Sequence, residues 1–155
     1  MNKLFSVPCV YLWLILLLLL TMNKTIHILV ACAIIEYNGK ILAAKRSQAQ
    51  SHGGQWEFPG GKIGPDEDPD TAIVREIREE LGCGIEVKNE LADVSFRYPD
   101  KNVTLVPLIC EITEGTASAL EHEEIRWVDR IEAEALDWLP PDREILNNFF
   151  NREKS

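Results

Sequence analysis

One stretch of this sequence carries both the start and the stop signal of a helix. Asp68 is a good N-cap, Pro69 suits the first helical position, and Gly82 follows Leu81 at the far end. Almost everything around that helix reads as strand, over 26–37, 40–45, 56–58, 85–87, 91–98, 103–112 and 125–128. Asn38-Gly39 joins the first two runs as a hairpin. Pro59-Gly60-Gly61 cuts off the third, and Gly64-Pro65-Asp66 prolongs that loop. A loop is expected at 115–119 and a terminal helix over 141–150. Strands flanking a central helix without regular βαβ alternation argue against a doubly wound sheet. They predict an α+β fold or a mixed-sheet sandwich, and 155 residues fit a single such domain.

The first 24 residues stand apart from that domain, which occupies 25–155. From Val7 to Leu20 every residue but Pro8 is apolar, and Lys3 precedes the run. Three readings stay open. It is a signal peptide without a small-residue cleavage site, a short anchor over residues 4–20, or an upstream extension of a chain that starts at Met22. The protein is expected in the cytoplasm, or on a membrane if residues 4–20 are retained. Losing Lys3 and Lys24, and no acid, would take the net charge from −9 to −11. So acidic a chain is a poor candidate for tracking a nucleic-acid backbone, but it can handle phosphate if metal ions bridge the two negative parties. The four cysteines show no metal-binding spacing. Cys32 and Cys110 lie inside apolar runs and read as buried small hydrophobes.

On a helix at about 100° per residue, Glu76, Glu79 and Glu80 share one face. Val74, Ile77 and Leu81 gather on the other side and are expected to meet the core. Three like charges so arranged weaken a helix by roughly 0.2–0.5 kcal/mol per pair, which Arg75 and Arg78 relieve in part. A solvated acidic face is the plain reading. The Gly-rich turn upstream favours another, because it can bring backbone groups close to a ligand. Clustered hard oxygen donors suit Mg²⁺ or Mn²⁺ carrying a polyphosphate.

Gly61, five residues, Glu67, seven residues, then Arg75-Glu76-Ile77-Arg78-Glu79-Glu80-Leu81-Gly82-Cys83 resembles the Nudix box at every fixed position. The one soft departure is Cys83, where a larger aliphatic residue is usual. Trp56-Glu57-Phe58-Pro59-Gly60-Gly61-Lys62 and Phe96-Arg97-Tyr98-Pro99-Asp100 are similar to the MutT branch, nucleoside triphosphate pyrophosphohydrolases that clean the nucleotide pool. The resemblance implies a Nudix α/β/α sandwich with a mixed sheet. It also implies a Mg²⁺-dependent (or Mn²⁺-dependent) reaction in which water attacks a (deoxy)nucleoside triphosphate, giving monophosphate and pyrophosphate. By that resemblance Glu76, Glu79, Glu80 and the Gly60 carbonyl bind metal, Arg75 holds the glutamates, and Glu67 braces the loop. Glu121 supplies a further acid as metal ligand or base, with Glu123 and Glu124 as competitors, and His122 reads as structural. Arg46, Phe58, Lys62 and Asp142 are the expected substrate-binding residues, Asp142 doubling as a candidate N-cap of the last helix. The implied substrate is an oxidised nucleotide such as 8-oxo-dGTP. CTP or dCTP, and a nucleotide-binding module without turnover, are the alternatives. The expected partner is a small-molecule nucleotide, with no nucleic acid polymer, bound to a monomer or homodimer.

Overall fold

The computed structural model describes residues 13–15 and 26–152. The readings of segment 1–24 therefore fall almost wholly outside the described residues, among which no helix is long and apolar enough to cross a membrane. In chain order the elements are β1 (Ile26–Tyr37), β2 (Lys40–Lys45), β3 (Trp56–Glu57), β4 (Gly60–Lys62), α1 (Pro69–Leu81), β5 (Gly84–Glu90), β6 (Val94–Arg97), β7 (Lys101–Glu114), β8 (Glu124–Val128), α2 (Arg130–Ala135) and α3 (Pro140–Asn151).

The two longest strands make the spine. β1 and β7 run parallel from the pair Ile26↔Lys101 to the pair Ile35↔Cys110, and the other pairings between these strands are antiparallel. Each spine strand is shared along its length. The middle of β1 carries β4 and its end carries β2, while β7 carries β6 and then β5. β2 in turn pairs with β3 and β8. The β1–β2 turn has Asn38 at φ 50° and Gly39 at φ 74°, the two left-handed residues a tight hairpin requires.

Side-chain alternation along β1 divides the core into two layers. Cys32 and Ile34 face a cluster with Trp138, Ile145, Leu146 and Phe149 under α3. Ala31, Ala33 and Ile35 face Ala72, Ile73, Ile77 and Leu81 of α1. Helices thus cover both faces of a mixed sheet, as the sandwich expectation required.

Four local expectations need correction. The Pro59-Gly60-Gly61 stretch is not all loop, because Gly60–Lys62 is the strand that joins the site to β1. Val74 is 36% exposed and Ile73 takes its place in the core. Helix α2 was not anticipated, although Asp129 and Glu132 form a capping box at its start. Asp142 is not an N-cap: α3 starts after Leu139 with no side-chain cap bond. Pro140 and Pro141 lack N–H groups, so they leave a capping side chain fewer donors to satisfy.

Candidate active site

Helix α1 is fixed at both ends by its own sequence. The Asp68 side chain accepts from the Thr71 N–H at 2.7 Å, and Gly82 closes the other end at φ 70° with its N–H donated to the Arg78 carbonyl. The loop before it is pinned from two sides. Pairing of β4 with β1 brings Gly60 against Ala31, and Gly60 adopts φ 153°, a region that favours glycine; a side chain there would run into the Ala31 carbonyl. From the helix, the Gly60 N–H donates to Glu80 Oε2 at 3.0 Å.

Arg75 organises the other acids. Its Nε and one terminal nitrogen donate to the two Glu67 oxygens, both at 2.8 Å, and its other terminal nitrogen donates to Glu76 Oε1 at 2.7 Å. Glu79 Oε1 stands 3.8 Å from the same guanidinium. Glu67 also accepts from the Gly64 N–H, and these bonds, led by Arg75, lower its carboxyl to a pKa of about 2. The Glu67–Arg75 fork therefore ties loop to helix. Glu76 lies directly against Gly61, where a methyl group would overlap its carboxylate. Glu80 is partly buried. Burial pushes its carboxyl up to about 7 against the opposing pull of His122 and the Gly60 N–H.

A second loop brings a fourth acid to this edge. The Ser118 and Leu120 N–H groups donate to the carbonyls of Leu81 and Glu80, satisfying the end of α1, and the Glu123 N–H donates to Lys45 on β2. Between these ties stands Glu121, exposed and lining the same cleft as Gly60 and Glu80. Glu123 turns instead to Lys45 and Gln48, and Glu124 to Arg126. Neither competitor lines the cleft.

The cleft has a volume of about 330 Å³ and continues away from the acids past Arg46, Phe58, Tyr98 and Asp142. Lys62 lies exposed at its edge. Phe58 stacks at 4.7 Å on Trp138, and its N–H donates to Asp142 Oδ1 at 2.8 Å. Asp142 is 3% exposed, and burial pushes its carboxyl up to about 8. Arg46 is not a free cation: it pairs with Glu57 at 2.5 Å and donates to the Ser51 carbonyl.

Residues 25–149 match the NUDIX domain family. This chain belongs to the Nudix family. It is 40% identical over 124 residues to the CTP pyrophosphohydrolase of Escherichia coli strain K12, covering 77% of this chain and 89% of that one. It is 29% identical over 109 residues to the 8-oxo-dGTP diphosphatase of the same strain, covering 70% and 84%. Among solved structures, the E. coli ORF135 protein superposes with a TM-score of 0.74 at 34% identity, covering 84% and 94%. The MutT protein of Methanosarcina mazei Go1 gives 0.72 at 26%, covering 85% and 98%. The chain is a Nudix hydrolase of the MutT type, an enzyme with the mixed-sheet sandwich of that fold.

In this Nudix hydrolase no three acidic, histidine or cysteine side chains among the described residues converge closely enough to enclose a cation. Glu76 is turned to Arg75, Glu80 to the Gly60 N–H, and Glu79 to solvent with 55% of its side chain exposed. The donor set still fits a hard divalent ion in type. It offers carboxylate oxygens on one helix edge, and Gly61 leaves the Glu76 carboxylate a place that any Cβ would fill. Replacing Gly61 by Ala should therefore displace Glu76 and destabilise the fold by about 1–3 kcal/mol. Chemical denaturation would measure that loss, and wild-type stability in G61A would contradict the close approach.

Two cleft residues were missed in the sequence. Glu57 pairs with both Arg46 and His122, and Tyr98 lines the cleft. The available signal for Glu57 was an acid between two aromatics at strand period, which sends it to the face opposite Trp56 and Phe58.

Proposed function

We propose that this enzyme hydrolyses (deoxy)nucleoside triphosphates to the monophosphate and pyrophosphate in a Mg²⁺-dependent reaction, acting on the cytoplasmic nucleotide pool with 8-oxo-dGTP as its first substrate. The observation that carries the reading is the continuity of one cleft, with glutamates at one end and an aromatic, carboxyl-floored pocket at the other. Glu76, Glu79, Glu80, Glu121 and the Gly60 carbonyl would hold divalent metal. When bound, the metal neutralises phosphate charge and acidifies water. Arg75 keeps Glu76 and Glu79 on the same edge, and a carboxylate of this set takes the proton of the attacking water. Glu121 is suited to that role because it is exposed on the cleft and has no ion-pair partner among the described residues.

At the other end, Phe58 offers a face for the base and Arg46 lies on that nucleoside side, while Lys62 stands exposed at the cleft edge. Asp142, kept protonated near neutral pH by burial, presents a donor beside an acceptor. That pair complements O6 and N1–H of a guanine, but equally N3 and the amino group of a cytosine. A second reading, CTP or dCTP hydrolysis, is favoured by the 40%-identical CTP pyrophosphohydrolase. Pyrophosphate release from 8-oxo-dGTP, dGTP, CTP, dCTP and ADP-ribose, with and without Mg²⁺, decides between them. The highest kcat/KM on 8-oxo-dGTP supports the first reading, and on CTP or dCTP the second. No release from any of the five would end the catalytic reading.

A further inference from the structure

Glu57 makes contacts that the proposed reaction does not use. Its Oε2 pairs with Arg46 on the nucleoside side of the cleft, and its Oε1 with His122 Nε2 at 3.2 Å on the acid side. The His122 side chain is only 5% exposed, and its Nδ1 has no partner among the described residues. A single side-chain bond therefore fixes the orientation of that ring. His122 directly follows Glu121, between the Leu120 N–H bonded to the Glu80 carbonyl at 3.0 Å and the Glu123 N–H bonded to the Lys45 carbonyl at 2.9 Å. Those two backbone bonds hold the ends of a short arch, while Glu121 at its crown is exposed. The buried imidazole is what fastens the crown to the sheet.

We propose that Glu57 and His122 form a strut that positions Glu121, and that through Arg46 the same carboxylate couples the nucleoside end of the cleft to its acid end. The proposal rests on the reading of Glu121 as an active-site acid. Neither residue touches the reacting atoms, so both are positioning residues. Loss of a group that orients a metal-site ligand typically costs 10- to 100-fold in affinity or activity.

The test compares full-length wild type with His122→Ala, His122→Gln, Glu57→Ala and the double variant Glu57→Ala/His122→Ala. His122→Ala should lower kcat by about 10- to 100-fold and raise the Mg²⁺ concentration for half-maximal rate, with KM for the nucleotide unchanged. Glu57→Ala should show the same fall in kcat and also a raised KM, since Arg46 is released. The double variant should lose no more kcat than Glu57→Ala alone, because one strut cannot be broken twice. A glutamine amide reaches near the position of Nε2, so His122→Gln should recover most of kcat. Hydrogen exchange supplies a readout that needs no turnover: the Leu120 and Glu123 amides should exchange faster in both single alanine variants while the α1 amides keep their protection. Additive losses of kcat, or wild-type exchange at those two amides, would overturn the strut. If wild type releases no pyrophosphate from any nucleotide, the functional reading fails, and the exchange comparison still decides the strut. If His122→Ala does not fold, Glu57→Ala and His122→Gln carry the same comparison.

Discussion

Replacing Glu79 by Gln is expected to lower nucleotide turnover by roughly 10²- to 10⁴-fold, the range for removing a positioned acid–base group, while leaving the unfolding midpoint where it was. Glu79 separates the two effects better than its neighbours. More than half of its side chain is exposed, and its one ion-pair partner among the described residues is Arg75 at 3.8 Å, an arrangement worth little to stability. Glu76 and Glu80 also hold Arg75 and the Gly60 N–H, so their variants would mix catalysis with the geometry of the loop. Steady-state pyrophosphate release, paired with a urea melt, makes the measurement. Full turnover in E79Q would remove Glu79 from the catalytic set. A large fall in stability would mean that it supports the helix instead.

The other large effect concerns Asp142. Its carboxyl titrates near 8 in the folded chain because burial opposes ionisation, and near the ordinary carboxyl value of about 4 when unfolded. Below about pH 4 both states hold the proton, so this residue makes no pH-dependent contribution. Between about 4 and 8 the unfolded chain has lost that proton and the folded chain has kept it, so stability falls as pH rises, by at most about 1.4 kcal/mol per unit. Above about 8 both are ionised and the penalty is constant. Asp142→Asn keeps an oxygen for the Phe58 N–H and cannot ionise. The difference in unfolding free energy between D142N and wild type should therefore open between pH 4 and 8 in favour of the variant, reaching several kcal/mol. Parallel stability curves across that range would contradict the buried, protonated carboxyl. The same variant run through the substrate panel should keep the preferred base, since an amide whose oxygen stays on the Phe58 N–H presents the same donor beside an acceptor as the protonated acid.

Much of the fold was readable because its signals are local. Asp68, Pro69 and Gly82 bound α1 through short-range backbone preferences, and Asn38-Gly39 sets the hairpin for the same reason. The box spacing brought Glu76, Glu79 and Glu80 to one helix edge, and Nudix membership follows from the match over 25–149. Val74 was misplaced because three neighbouring aliphatics fit more than one helix phase, and only contact with Ala31, Ala33 and Ile35 selects Ile73. β4 was missed because Gly60-Gly61 has no side-chain pattern; its pairing with β1 is made by backbone alone. Helix α2 was different, since the Asp129–Glu132 box was there to be read.

By itself, then, the sequence determined most of the elements, the family and which three acids share one helix edge, since spacing along one helix is a property of adjacent residues. Tertiary structure alone decided which of Glu121, Glu123 and Glu124 lines the cleft, that Asp142 sits beneath Phe58 as a buried carboxyl, and that Glu57 spans Arg46 and His122. Each of those outcomes joins residues many positions apart. Burial and pairing across such separations depend on how the sheet and its two helical layers close on one another, and no short stretch of chain encodes that.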